Sequence, residues 1–202
     1  MAAFQTIQHF VRRTSPLKLF DYSTQPRFLL PVLFPFVTYL GWLRDPAAPL
    51  MDHVLAAIAI ALVGWIGAMF VEYQPFVPLE DDTVNDIQGV MLAVVAGLIY
   101  VVWNHFGWSD LVQGWALVGA IAVFLWLPTR RLLTLSGGVI FPTAVFVYLS
   151  VIESSFIPLL LVPALRVPVA LKIENLTYFE TVVGLSMGIV SVVIVLVLPS
   201  VS

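Results

Sequence analysis

Arg166 is the residue in this chain best placed to do chemistry. It sits in the apolar run from Phe156 to Leu171, where Pro158, Pro163 and Pro168 recur every five residues. Each proline inside a helix removes one backbone hydrogen bond and crowds the preceding turn. Carbonyls freed in this way are not tolerated against lipid, so other helices or water must satisfy them. A guanidinium in such a segment is costly and normally faces a partner or an aqueous cavity. These residues predict a broken helix, discontinuous or re-entrant, that lines a solute or ion path, with Arg166 contacting an anionic group. The plainer reading is a kinked helix whose Arg166 extends toward headgroups near Lys172.

A second group could bind metal or relay protons. It comprises His53, His105 and Asp110, with Asp52, Asn104 and Glu153 at neighbouring helix ends. Imidazole and carboxylate suit a divalent ion. No HxxH or HxxxH spacing supports this, and a water-facing rim collects the same residue types. A third group is the run Glu80, Asp81, Asp82 and Asp86. Such carboxylates can hold Mg²⁺, but no second acidic run accompanies them, and acids also favour helix N-termini through the dipole. Ser136, followed by two glycines, lacks a general base, because no histidine follows His105. Nucleophilic catalysis needs that base, so Ser136 is read as part of a bend or a close helix approach.

The elements that position these residues follow from composition. The chain has 202 residues, of which 60% are hydrophobic and 10% charged. Its mean hydropathy is +1.01. Soluble domains carry about 25% charged residues, and disordered chains need low hydrophobicity. Both classes are excluded, and a polytopic membrane protein remains. A net charge of −3 without a basic stripe argues against nucleic acid. No cysteine is present, which excludes disulfides and iron–sulfur ligation. No cofactor is named by any motif.

The expected fold is all-α, with about seven transmembrane helices, or six plus a re-entrant segment. Residues 1–27 form a basic cytoplasmic arm, in which Phe4, Ile7, Phe10 and Val11 have the spacing of an interfacial amphipathic helix. Residues 28–202 form one transmembrane domain. The spans are expected at Phe28–Leu43, Val54–Val71, Val84–Trp103, Ser109–Leu127, Leu132–Ile152, Phe156–Leu171 and Tyr178–Leu198. Thr83 and Asp86 are expected to cap the third span. Pro128 and Pro199 are expected to stop the fourth and seventh.

Basic residues set the orientation. With the N-terminus inside, the cytoplasmic segments hold Arg12, Arg13, Lys18, Arg27, Arg130, Arg131 and Lys172, and the outer ones only Arg44. The C-terminus then lies outside. Trp42, Trp103 and Trp108 would form an outer aromatic belt and Trp126 an inner one. In the seventh span, Gly184, Gly188 and Ser191 make a smooth face for helix packing, within the chain or in an oligomer. The expected partners are the lipid bilayer and either a second copy of the chain or other membrane subunits.

The functional expectation is a non-enzymatic multi-pass membrane protein: a small transporter or channel component, or a membrane subunit of a larger complex. The alternative is a membrane enzyme acting on a lipid or lipid-linked substrate.

Overall fold

A computed structural model describes residues 16–46, 49–72 and 81–198. Among them every regular element is helical. These are α1 (Pro16–Thr24), α2 (Pro26–Arg44), α3 (Leu50–Glu72), α4 (Asp81–His105), α5 (Asp110–Thr129), α6 (Gly137–Ile152), a 3₁₀ segment (Ser154–Leu160), α7 (Leu161–Lys172) and α8 (Tyr178–Val197). The amphipathic spacing at Phe4–Val11 lies outside the described residues.

Four helical stretches are long and apolar enough to cross a membrane: Asp86–His105, Asp110–Thr129, Ser154–Lys172 and Tyr178–Val197. A helix rises 1.5 Å per residue, so about 20 residues cover the hydrocarbon core. Val32–Arg44, Leu50–Gly64 and Gly137–Ile152 are shorter apolar stretches.

The helices are built by recognisable signals. Pro26 opens α2, where its missing N–H costs nothing. Thr177 and Glu180 form a reciprocal capping box at the start of α8. That box is absent from the sequence expectation, which placed one at Thr83 and Asp86. The correction is that α4 begins earlier, at Asp81, and Asp86 instead pairs with Arg130 at 3.3 Å and Arg131 at 3.6 Å. Pro128 likewise does not end its helix: α5 continues to Thr129, with Pro128 in its last turn.

The core is centred on α5 and α6. Most of α6 is buried, including Ile140, Ala144, Tyr148 and Leu149. It packs against α8 on one side and α5 on another. α4 lies against α5, and α3 bridges α2 and α4. Small residues permit close approach. A methyl group on Gly188 would lie 2.8 Å from the Ile140 carbonyl, and one on Gly184 would lie 3.3 Å from Val139. Gly184, Gly188 and Ser191 are all buried, so the small-residue face of α8 is turned onto α6. The outward faces of α3, α4 and α8 carry exposed Leu, Ile and Val, for example Val63, Val94 and Val193.

Two tryptophans depart from the expected belt. Trp103 is fully buried and Trp126 nearly so. Trp126 donates its indole N–H to the Leu135 carbonyl at 3.2 Å and lies under the Arg130 guanidinium. Both rings serve internal packing: Trp103 lies against Phe34 and His53, and Trp126 against Phe141.

Candidate functional site

Arg166 is the centre of the most polar buried cluster among the described residues. It lies on α7, about 9 Å of helix rise from Lys172. Its side chain is 0% exposed. Nη1 donates to Asp21 Oδ1 at 2.5 Å and to Thr24 Oγ1 at 3.2 Å, both on α1. Nη2 donates to Glu174 Oε1, just beyond the end of α7. One cation thus joins α1, the broken helix and the turn that follows it.

Local backbone geometry explains the arrangement. After α7, the N–H groups of Ile173 and Glu174 both return to the Val169 carbonyl, and Leu176 returns to Ala170. Asn175 takes φ +55°, a left-handed conformation that Asn tolerates better than most residues. This turn carries Glu174 back over Arg166. On the other side, the first turn of α6 sets Gly138 against the guanidinium, and a methyl group there would collide with Nη2. Ser136 caps α6 by accepting from the Gly138 N–H at 3.1 Å. Ser136 is therefore occupied as a cap.

Arg166 therefore does not extend to headgroups. Its anionic contacts are Asp21 and Glu174 of the chain itself. One positive charge faces two carboxylates, so the cluster carries a formal excess of one negative charge. Arg166 Nε and Glu174 Oε2 are buried without a hydrogen-bond partner. Of the expected pathway prolines, Pro158 lies in the 3₁₀ segment, Pro163 is buried near the start of α7, and Pro168 lies within α7 below Arg166. The chain between Glu153 and Lys172 is thus broken into a 3₁₀ segment followed by a short α-helix.

A further polar network flanks this end of the bundle. Glu180 accepts from the backbone N–H and hydroxyl of Thr177, and from the Thr134 backbone N–H at 3.1 Å. It ties the α5–α6 connection to the start of α8. The pairs of Asp86 with Arg130 and Arg131 tie α4 to α5 there.

The opposite end holds the expected His53, His105 and Asp110 set. His53 is fully buried, with ring centroids 4.3 Å from Trp108 and 6.1 Å from Trp103. His105 and Asp110 are exposed. No group of three His, Asp or Glu residues able to hold a metal occurs among the described residues. The three side chains are separated because His53 turns into the bundle while the other two stay at its rim. Asp110 receives a long 3.4 Å hydrogen bond from Gln113, whose amide also donates to the Trp108 carbonyl at 2.8 Å.

Sequence reasoning singled out Arg166 but not Asp21 or Glu174. Asp21 is 145 positions away, and nothing local marks it. Glu174 had one usable signal, since an acid eight positions after an intramembrane Arg is within reach if the chain turns back. No known family model matches this chain, and neither curated proteins nor solved structures show significant similarity to it.

Proposed function

We propose that this chain is a non-enzymatic multi-pass membrane protein of seven spans that works as a component for solute or ion transport. In this reading the broken segment from Ser154 to Lys172 is the moving part. The Arg166 cluster is the latch that holds it closed against α1. The distribution of Arg and Lys supports a cytoplasmic N-terminus, which puts the latch at the cytoplasmic end.

One observation carries the reading: a fully buried arginine, paired to carboxylates from two other segments, at the base of a proline-broken helix. An ionic cluster of this kind is weak evidence for stability, because apolar residues of similar volume often serve as well. It does suit an element with two arrangements, since the same charges can be satisfied by different partners. Separating α1 from α7 would require the carboxylates to find a cation or a proton, and Arg166 an anion. That exchange gives a physical route from solute binding to opening.

The test is flux through liposomes of the purified chain, read with halide-, potassium- and proton-sensitive dyes. Wild-type protein is expected to show low flux, and Asp21→Asn and Arg166→Met raised flux to at least one ion. Folded variants that stay as tight as empty liposomes to all three would overturn the reading.

A further inference from the structure

Buried hydrogen-bonding groups without partners gather at the end of the bundle opposite Arg166. They are Thr38 Oγ1 on α2, both ring nitrogens of His53 on α3, Trp103 Nε1 on α4 and Trp115 Nε1 on α5. Their residues are all buried, Thr38, His53 and Trp103 almost completely. An unsatisfied buried polar group costs about 1–3 kcal/mol, so each requires an explanation. Four residues on four helices would make this an expensive coincidence.

The groups belong to one neighbourhood. Phe34, one turn before Thr38, stacks on Trp115 with centroids 5.7 Å apart and planes 4° apart. The same Phe34 ring lies 5.7 Å from Trp103, and Trp103 lies 6.1 Å from His53. Nearby polar groups are already engaged: Gln113 donates to the Trp108 carbonyl, and the Tyr148 hydroxyl donates to the Leu111 carbonyl at 3.4 Å.

The chemistry of these groups defines what would satisfy them. An indole N–H only donates, a hydroxyl does both, and a neutral imidazole has one donor and one acceptor. The cluster therefore has more donors than acceptors and calls for a partner rich in acceptor oxygens. None of these groups carries a fixed charge, and the exposed charges at this rim, Asp45, Asp52, Asp110 and Glu153 against the single Arg44, are predominantly acidic and disfavour an anion. The rings packed around these groups, Phe34, Trp103, Trp108 and Trp115, are aromatic. Thr38 lies about 9 Å of helix rise from Arg44, and Trp103 about 3 Å from His105. These depths, from about half a turn to nearly two turns inside the helix ends, fall where the ester carbonyls and ring heads of bilayer molecules lie.

We propose that Thr38, His53, Trp103 and Trp115 form a binding site for the neutral, carbonyl-bearing head of a bilayer-soluble molecule. The inference rests on the chain's residing in a bilayer but not on the transport reading. Both a quinone ring and the ester region of a glycerolipid offer the required acceptors, and the experiment separates them.

The probe is the indole N–H signal in ¹⁵N–¹H NMR of the whole protein in nanodiscs, assigned with Trp→Phe variants. The Trp126 indole, already bonded to Leu135, is the internal reference. The baseline is a nanodisc of ether-linked phosphatidylcholine, which has no carbonyl. Decylubiquinone is then added, or ester-linked phosphatidylcholine is substituted. The Trp103 and Trp115 signals are expected to shift saturably in at least one arm while Trp126 stays fixed. In Thr38→Val the apparent affinity is expected to fall about tenfold, one hydrogen bond's worth. A shift with decylubiquinone alone identifies a ring dicarbonyl, and a shift with ester lipid alone identifies the lipid. Unmoved Trp103 and Trp115 signals in both arms, or equal movement of Trp126, would overturn the site, with ordered water left as the sole partner of these groups.

Discussion

A buried guanidinium must be matched locally, and in this chain the match is made by residues distant in sequence. Removing one partner leaves an uncompensated buried charge, which costs about 3–5 kcal/mol. Asp21→Ala is therefore expected to lower the unfolding temperature in detergent by roughly 10 °C, since about 1 kcal/mol moves a chain of this size by 2–4 °C. Replacing all three members, as Asp21→Leu, Arg166→Met and Glu174→Leu together, is expected to recover most of that loss. A triple variant as unstable as Asp21→Ala would show that the cluster contributes net stability. Gly138 carries a separate prediction. Gly138→Ala puts a methyl group where Arg166 Nη2 sits, and overpacking of this kind costs about 1–3 kcal/mol. The drop is expected to vanish in an Arg166→Met background, where the guanidinium is gone.

At the scale of elements, the all-helical, apolar character was legible in the sequence: four stretches are long enough to cross a membrane and three more apolar helices are shorter. Periodicity and length identify helices, whereas ends depend on side-chain contacts that a pattern does not contain. Thr83 and Asp86 had the spacing of a cap, but Asp86 is held by Arg130 and Arg131 from α5. Pro128 had the type of a stop, but its ring sits where α5 is already ending. The capping box that does form, Thr177 with Glu180, joins α8 to Thr134 as well. Thr177→Ala is expected to cost about 1 kcal/mol. Faster hydrogen exchange confined to the first turn of α8 would report it, and uniform acceleration along the helix would contradict the assignment. The candidate site was half legible: Arg166 is conspicuous because charges are scarce. Its partners, and the inward turn of His53, Trp103 and Trp115, depend on tertiary packing.

The whole molecule has two chemically different ends. One carries the ionic networks of Arg166, Asp86 and Glu180, and the other the aromatic cluster around His53. With seven spans, they face opposite sides of the membrane. The chain has no cysteine, so single cysteines can be introduced without removing any. A cysteine at Arg131 is expected to react with an impermeant maleimide only from the cytoplasmic side, and one at Asp110 only from the outside. The same side for both would refute the span count. The latch itself is tested most directly by the separation of α1 and α7 in a bilayer. Spin labels at the exposed positions Ser23 and Ala164 report it by pulsed electron resonance in nanodiscs. A single narrow distance distribution is expected for the parent chain, and a broader, longer one for Asp21→Asn. A distribution that Asp21→Asn leaves unchanged would contradict the latch.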